Sequence, residues 1–238
     1  MVRVRRRRSG GRIIEDEERR NRTGVFEDRA DAGRVLARML EEHAGSNAQV
    51  MAVPAGGVPV GAEVAMRLGL ALDVAIVSKI TLPWNTEVGY GAVAFDGTVR
   101  VHRALAAAVG LTEEQIRGGI ERTTARVERR VRRLRGDKPW PDLREKPVIV
   151  VDDGLASGFT MLVALEALRG KGADRLVVAV PTAPGDTVAR LAERADSVYC
   201  ANVREGTPFA VADAYHEWTD LCEDDVAGIL ANRASEIR

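Results

Sequence analysis

The amino-acid sequence predicts an α/β domain built on a mainly parallel central sheet. Two patterns predict it. Val50–Val53, Val74–Val77, Val148–Val151 and Leu176–Val180 are short continuous β-prone runs. They lack apolar–polar alternation, so they read as strands covered on both faces. Helical spacing follows several of them, over Val58–Leu68, Thr160–Leu168 and Asp186–Arg194, and strand alternating with helix is the signature of parallel crossover units.

Composition narrows the function classes. The chain has 238 residues, 45% hydrophobic and 29% charged, enough apolar material for a real core rather than a disordered segment. Lys+Arg and Asp+Glu are both 35, so no net field gathers nucleic acid or an acidic membrane, and any anion site must be local. No apolar run approaches the roughly 18 residues of a membrane span. The basic start, Met1 to Arg8, is not followed by a hydrophobic stretch, so secretion is not expected. Cys200 and Cys222 are too few for a disulfide framework or a four-ligand zinc site, and a reducing, cytoplasmic setting is expected.

Along the chain, residues 1–22 are almost wholly arginine, acid and glycine, with Ile13 and Ile14 the only adjacent apolar pair. They are read as a flexible charged tail ahead of a single domain over 23–238. Glu15 to Glu18 offset the preceding arginines, so nucleic acid is not an expected partner. Ala32, Val35, Leu36, Met39 and Leu40 recur at helical spacing before Gly45, which can end that helix. Thr112-Glu-Glu-Gln115 is a capping box that opens a long helix over 112–135. Its apolar stripe is Ile116, Ile120, Val127, Val131 and Leu134; its many arginines read as a solvated face, with Glu113–Arg117 and Glu128–Arg132 as i,i+4 pairs. An anion-facing surface is the alternative for those arginines.

The chemistry concentrates in Val148-Ile-Val-Val-Asp152-Asp153-Gly154-Leu155-Ala156-Ser157-Gly158-Phe159-Thr160. A buried strand delivers two carboxylates, then a small-residue loop, then a helix start. Beyond the carboxyl end of a parallel strand is where ligands collect. Gly154, Ala156, Ser157 and Gly158 let successive N–H groups converge with the helix N-terminus on one anion, and Ser157 and Thr160 add hydroxyls. Acids would repel that phosphate, but they suit neutral hydroxyls beside it, as in a ribose 5-phosphate whose diol reaches Asp152 and Asp153. A second small-residue turn, Val53-Pro-Ala55-Gly56-Gly57-Val-Pro59, offers N–H groups to another anion. No Gly-Lys-Ser/Thr is present, which excludes a Walker loop.

The acid-pair segment resembles the signature by which type I phosphoribosyltransferases bind 5-phosphoribosyl 1-diphosphate (PRPP). Val53–Pro59 resembles the family's pyrophosphate loop, and departs from it at Ala55, where the pattern Pro-Arg-Gly-Gly carries a cation. Lys79–Val93 is similar to the flexible hood, and Phe209–Trp218 resembles the end of a PRTase-like branch. The resemblance implies a three-layer α/β/α core with a small hood from segments about 79–103 and 209–222. It implies Lys79, Asp152 and Asp153 as catalytic residues, and Gly154, Leu155, Ala156, Ser157, Gly158, Phe159 and Thr160 around the 5′-phosphate. Ala55, Gly56, Gly57 and Lys79 would meet the pyrophosphate, and Tyr215 and Trp218 the acceptor. Mg²⁺ is the implied cofactor, met by Asp152 and Asp153 indirectly through ribose hydroxyls or water.

The implied activity is transfer of the ribose 5-phosphate of PRPP to a nitrogen of a nucleobase-like acceptor with release of pyrophosphate. A catalytically weak or inactive regulator that binds PRPP or a nucleotide is the alternative. The resemblance does not select the acceptor: hypoxanthine–guanine members place an Asp where this chain has Ala156. PRPP and a small-molecule acceptor are the implied partners, and a homodimer is left open. His216 is read as a surface residue, His43 and His102 as structural.

Overall fold

Strand and helix alternate along the chain as the apolar runs require. The computed structural model describes residues 2–6, 10–206 and 208–236. In order they form β1 (Val2–Arg6), β2 (Arg12–Asp16), α1 (Arg29–Met39), β3 (Gln49–Ala52), α2 (Gly57–Leu68), β4 (Ala71–Val74), β5 (Val77–Leu82), β6 (Asn85–Ala94), β7 (Val99–Val101), α3 (Arg103–Ala108) and α4 (Glu113–Arg135). Then follow β8 (Pro147–Val151), α5 (Phe159–Gly170), β9 (Arg175–Pro184), α6 (Gly185–Leu191), β10 (Ser197–Arg204) and α7 (Glu223–Glu236). No helix among the described residues is long and apolar enough to cross a membrane.

The main sheet runs β1-β2-β10-β9-β8-β3-β4, parallel throughout except for the antiparallel β1–β2 pair. Alternate side chains of each central strand enter opposite apolar layers. Val148 and Val150 pack with Met161, Leu165 and Leu168 of α5, while Ile149 and Val151 pack with Leu36 of α1 and Val64 of α2. The result is the expected three-layer α/β/α core. β5, β6 and β7 form a separate antiparallel sheet, with α4 over it and a third apolar cluster between.

Three expectations change. The predicted strand Val74–Val77 straddles two real ones: β4 ends at Val74, the Ala75 amide donates to Ala52 at 2.8 Å as the last rung, and the chain then crosses to the second sheet. All four residues are buried on either side of that crossing, so hydropathy alone cannot locate the break. The second change is the tail. Residues 12–16 are a parallel strand beside β10, and residues 2–6 pair with them antiparallel. Glu15 and Asp16 can be buried there because Arg20 and Arg19 bond them from the following turn. Asn21 and Arg22 tie that turn to the end of β10. Met1 and residues 7–9 of the expected tail lie outside the described residues, as do 207, 237 and 238 of the expected domain.

The third change concerns α4. Its capping box forms as expected, Gln115 N to Thr112 Oγ1 at 3.2 Å and Thr112 N to Gln115 Oε1 at 2.9 Å. Its arginines do not share one solvated face. Arg135 is buried, doubly bonded to Asp73 at 2.8 Å and stacked on Trp140. Arg130 is half-buried, and Glu113 pairs with Arg103 rather than Arg117.

Candidate active site

The strand order positions the site. Among the consecutive parallel strands, β4-β3-β8-β9-β10 reads as second, first, third, fourth and fifth in the chain, so connections leave β3 and β8 toward opposite faces. At such a switch point the loops beyond the carboxyl ends diverge and leave a crevice. The loops after β3 and β8 are the two that the sequence singles out. They flank a cleft of ≈ 600 Å³, closed on the far side by β5 of the second sheet, α4 and the segment around Trp218.

The loop after β8 is held from several directions. Arg29 of α1 donates through Nε to Asp153 Oδ2 at 2.8 Å and through a terminal nitrogen to the Thr219 carbonyl at 2.8 Å. Its guanidinium lies 3.9 Å from the Trp218 ring centroid. Asp152 Oδ1 accepts the Asp153 amide at 2.9 Å. Burial, reinforced by the charge of Asp153, pushes the Asp152 carboxyl well above the ordinary carboxylate range. Burial also raises Asp153, against the lowering pull of Arg29. Asp153 is thus the member of the pair that a guanidinium partners.

Further along, Thr187 donates to the Ala156 carbonyl at 2.9 Å and Arg190 to the Ser157 carbonyl at 2.7 Å, both from α6. A planar trans peptide carries its N–H opposite its C=O, so these bonds turn the Ser157 and Gly158 amides away from α6. Gly158 has φ 66°, the left-handed conformation that aims the loop into the first turn of α5. The cradle thus has its donors at the N-terminus of a twelve-residue helix.

The loop after β3 is different in kind. Its peptide Pro54–Ala55 is cis. A Cβ on Gly56 would overlap the Asp153 carboxylate, so only glycine lets the two loops approach this closely. The Gly57 amide is spent within the turn on the Val53 carbonyl at 3.1 Å. Ala55 faces the cleft and is half-buried against the apolar cluster to which Val58, Val74 and Ile76 belong.

Lys79, Ala55, Gly56, Asp152, Asp153, Gly154, Leu155, Ala156, Ser157, Gly158, Thr160 and Trp218 all line this one cleft. Gly57, Phe159 and Tyr215 do not, and Leu155 lines it without offering its amide. Gly57 lies beneath it against Val151 and Asp152. The Leu155 amide is committed to the Thr182 carbonyl at 3.0 Å, so it adds no donor to the cradle. The Phe159 ring lines a separate hollow between β7 and α5. Tyr215 is placed beside the cleft rather than in its lining. It is buried between Phe26, 5.6 Å away, and Trp218, 5.1 Å away, and its hydroxyl donates to the Asp153 carbonyl at 2.5 Å. It braces the acid loop and presents no face to the cleft.

Sequence reasoning missed Arg29, which no spacing connects to Asp153, 124 residues away. It also missed Arg126 and Arg130 of α4, Thr81 and Thr86 of the second sheet, and Glu223, which all line the cleft. The i,i+4 spacing of Arg126 and Arg130, a like-charged pair on one helix face, was the available signal. His216 is exposed, and His102 caps α3 through Nδ1, accepting the Leu105 amide at 3.0 Å.

The chain matches the family model described as "Phosphoribosyl transferase domain" over residues 26–214. Two curated proteins of Mycobacterium tuberculosis strains, provisionally named phosphoribosyl transferases, are 37% identical to it over 219 residues, covering 87% of this chain and 46% of theirs. The chain therefore spans about half the length of those relatives. A crystal structure of a Thermus thermophilus protein superimposes with a TM-score of 0.71 at 34% identity, covering 87% of this chain and 98% of that one.

Proposed function

The chain belongs to the phosphoribosyl transferase domain family, and from that membership we propose that its cleft moves the ribose 5-phosphate of PRPP to a nitrogen of a nucleobase-like acceptor. In that step the bond from the anomeric carbon to the diphosphate oxygen breaks and its electron pair leaves with pyrophosphate. The acceptor nitrogen supplies the pair for the new C–N bond and loses its proton to solvent. One observation carries the reading: an acid pair, a helix-terminal amide cradle, a small-residue turn and Lys79 come from separate elements and meet in a single crevice at the switch point.

Each group has a task in this proposal. Asp152 and Asp153 accept hydroxyls of the ribose, Arg29 fixing the carboxylate of the second. The amides of Ser157 and Gly158, with the Ser157 and Thr160 hydroxyls, hold the 5′-phosphate. Lys79 and the Ala55–Gly56 backbone face the departing diphosphate, where preorganised donors act on charge that develops only in the transition state. Trp218 offers an apolar ring at the acceptor side.

The residues also fit the magnesium ion that the family implies. Among the described residues no three His, Cys, Asp or Glu side chains converge on a metal position, and Asp153 is already engaged by Arg29. That donor set suits an ion carried largely by phosphate oxygens and water, with one or two carboxylates nearby, which is the usual habit of magnesium. When bound, it would neutralise charge on the diphosphate. Asp152, through water or the ribose hydroxyls, is the residue that would meet it.

Incubation with PRPP, Mg²⁺ and a panel of nucleobases, followed by pyrophosphate release, tests the proposal. Base-dependent release supports transfer. A second reading, a regulator that binds PRPP or a nucleotide without turnover, is favoured by Ala55, which removes a cation from the diphosphate side. Tight PRPP binding with no release for any base would select it.

A further inference from the structure

We infer that the α4–α7 wall of the cleft is a second anion subsite, in which Arg126 and Arg130 receive the diphosphate end of the ligand and Glu223 stands in for that anion until it is displaced. The identity of the ligand rests on the phosphoribosyl-transfer reading. The existence of the anion subsite does not.

The loop after β3 leaves a charge deficit. It carries no cationic side chain, and one of its glycine amides is spent inside the turn. Lys79 alone faces a diphosphate that bears several negative charges. Arg126 and Arg130 stand one turn apart on α4 and both line the cleft. Like charges at that spacing repel, so the arrangement calls for an anion between or beside them. Burial, opposed by Glu223 and aided by Arg126, already pulls the Arg130 guanidinium pKa below its usual range.

The two arginines are not equally supplied. Arg130 donates to Glu223 Oε1 at 3.0 Å and is steadied by the Val77 carbonyl and the Ser78 hydroxyl at 3.4 and 3.3 Å. Arg126 is exposed and has no ion-pair partner among the described residues. One carboxylate therefore stands beside two guanidinium groups and pairs with only one of them, at the edge of the cleft. Glu223 is also replaceable: its side chain is 44% exposed, so it can turn to water when a stronger anion arrives. Val226, Ala227 and Leu230 of α7 pack in the same apolar cluster as Val127 and Leu134 of α4, which keeps the wall in place when Glu223 leaves.

Separate isothermal titrations with inorganic pyrophosphate and with ribose 5-phosphate, each with Mg²⁺, test this on the full chain. Arg126→Gln, at an exposed position, should weaken pyrophosphate tenfold or more and leave ribose 5-phosphate within twofold. Glu223→Gln should tighten pyrophosphate about threefold or more, because the internal competitor loses its charge. Absence of pyrophosphate binding by the unmodified protein, unchanged pyrophosphate affinity in Arg126→Gln, or equal losses for both ligands would overturn the subsite. Weaker pyrophosphate binding in Glu223→Gln would overturn the stand-in role. If ribose 5-phosphate fails to bind while pyrophosphate responds to Arg126→Gln, the transfer reading falls and the anion subsite stands.

Discussion

The loops after β3 and β8 face each other across one crevice and are built from opposite materials. The β8 loop carries two acids and two hydroxyls beside its amides, and is tied down by Arg29, Tyr215, and Thr187 with Arg190 from three other parts of the chain. The β3 loop works through backbone, with Ala55 and Gly56 at the cleft and nothing charged of its own. Side chains can be specific only where they are held, whereas backbone amides need only close approach. In the proposed reading, recognition of the sugar phosphate would be concentrated in the braced loop, while charge for the opposite end would come from elsewhere, from Lys79 on β5 and the arginines of α4, which line the same cleft.

If bracing is what separates the loops, its removal should have the largest effect. Arg29→Ala leaves Asp153 buried without its partner, and breaking a buried pair in this way costs about 3–5 kcal/mol. Urea denaturation should show that loss, with ribose 5-phosphate affinity falling in parallel. A variant of wild-type stability would mean that the acid loop stands without α1, and the contrast between the loops would collapse.

The unbraced side is tested next. Lys79→Ala should lower turnover about 10²–10³-fold, the usual effect of deleting a preorganised donor at a developing negative charge. Affinity for a nucleoside monophosphate, which has no diphosphate at the anomeric carbon, should stay within about twofold. Equal losses for both would move Lys79 to the sugar-phosphate end.

What the sequence made legible follows the same division. The β8 loop was readable because strand, acids, small residues and helix start are contiguous from Val148 to Thr160. The three-layer core was readable because its central strands are uninterrupted apolar runs. Arg29 and the arginine pair of α4 were not, because their partners lie across the fold and a charged side chain in sequence looks the same whether it meets water, Asp153 or a cleft. β2 was hidden by its own acids, whose burial depends on Arg19 and Arg20. β10 was obscured by Asn202, a buried amide that donates to the Arg22 carbonyl at the end of the supposed tail.

Asp152 and Asp153 sharpen the comparison within the braced loop. Asp152→Asn should weaken ribose 5-phosphate by about 1.5–3 kcal/mol, the worth of a hydrogen bond to a charged group, measured by isothermal titration. Its stability should move the other way. A carboxyl whose folded pKa is raised by burial binds its proton more tightly in the native state, so it costs stability as pH rises above its unfolded value near 3.9. Asn removes that cost, and the stability gap in favour of the variant should open between acid and neutral pH. A gap that narrows over that range would show Asp152 ionised without penalty.

Ala55→Arg asks whether the unbraced loop can be given the charge it lacks. An arginine there must leave the apolar cluster on which Ala55 packs, so the gain for PRPP should sit near the low end for a charge-assisted bond, about 1.5 kcal/mol. Nucleoside monophosphate affinity should not change. Tighter PRPP with faster pyrophosphate release fits an enzyme, whereas tighter PRPP with no release fits the regulator.

The smallest expected effect separates a brace from a contact surface. Tyr215 is where the sequence suggested an acceptor-facing ring, yet its ring is enclosed by Phe26 and Trp218 and its hydroxyl meets the Asp153 carbonyl. Tyr215→Phe keeps the ring and deletes one hydrogen bond, which should cost about 1 kcal/mol of stability in urea denaturation. The acceptor KM should remain within about twofold, because the lost hydroxyl points into the loop and not into the cleft. Trp218→Ala serves as the contrast: it lines the cleft and covers Arg29, so both stability and acceptor KM should suffer. If Tyr215→Phe instead raises the acceptor KM severalfold at unchanged stability, Tyr215 reaches the acceptor when ligand is bound, and the braced loop must open to let it do so.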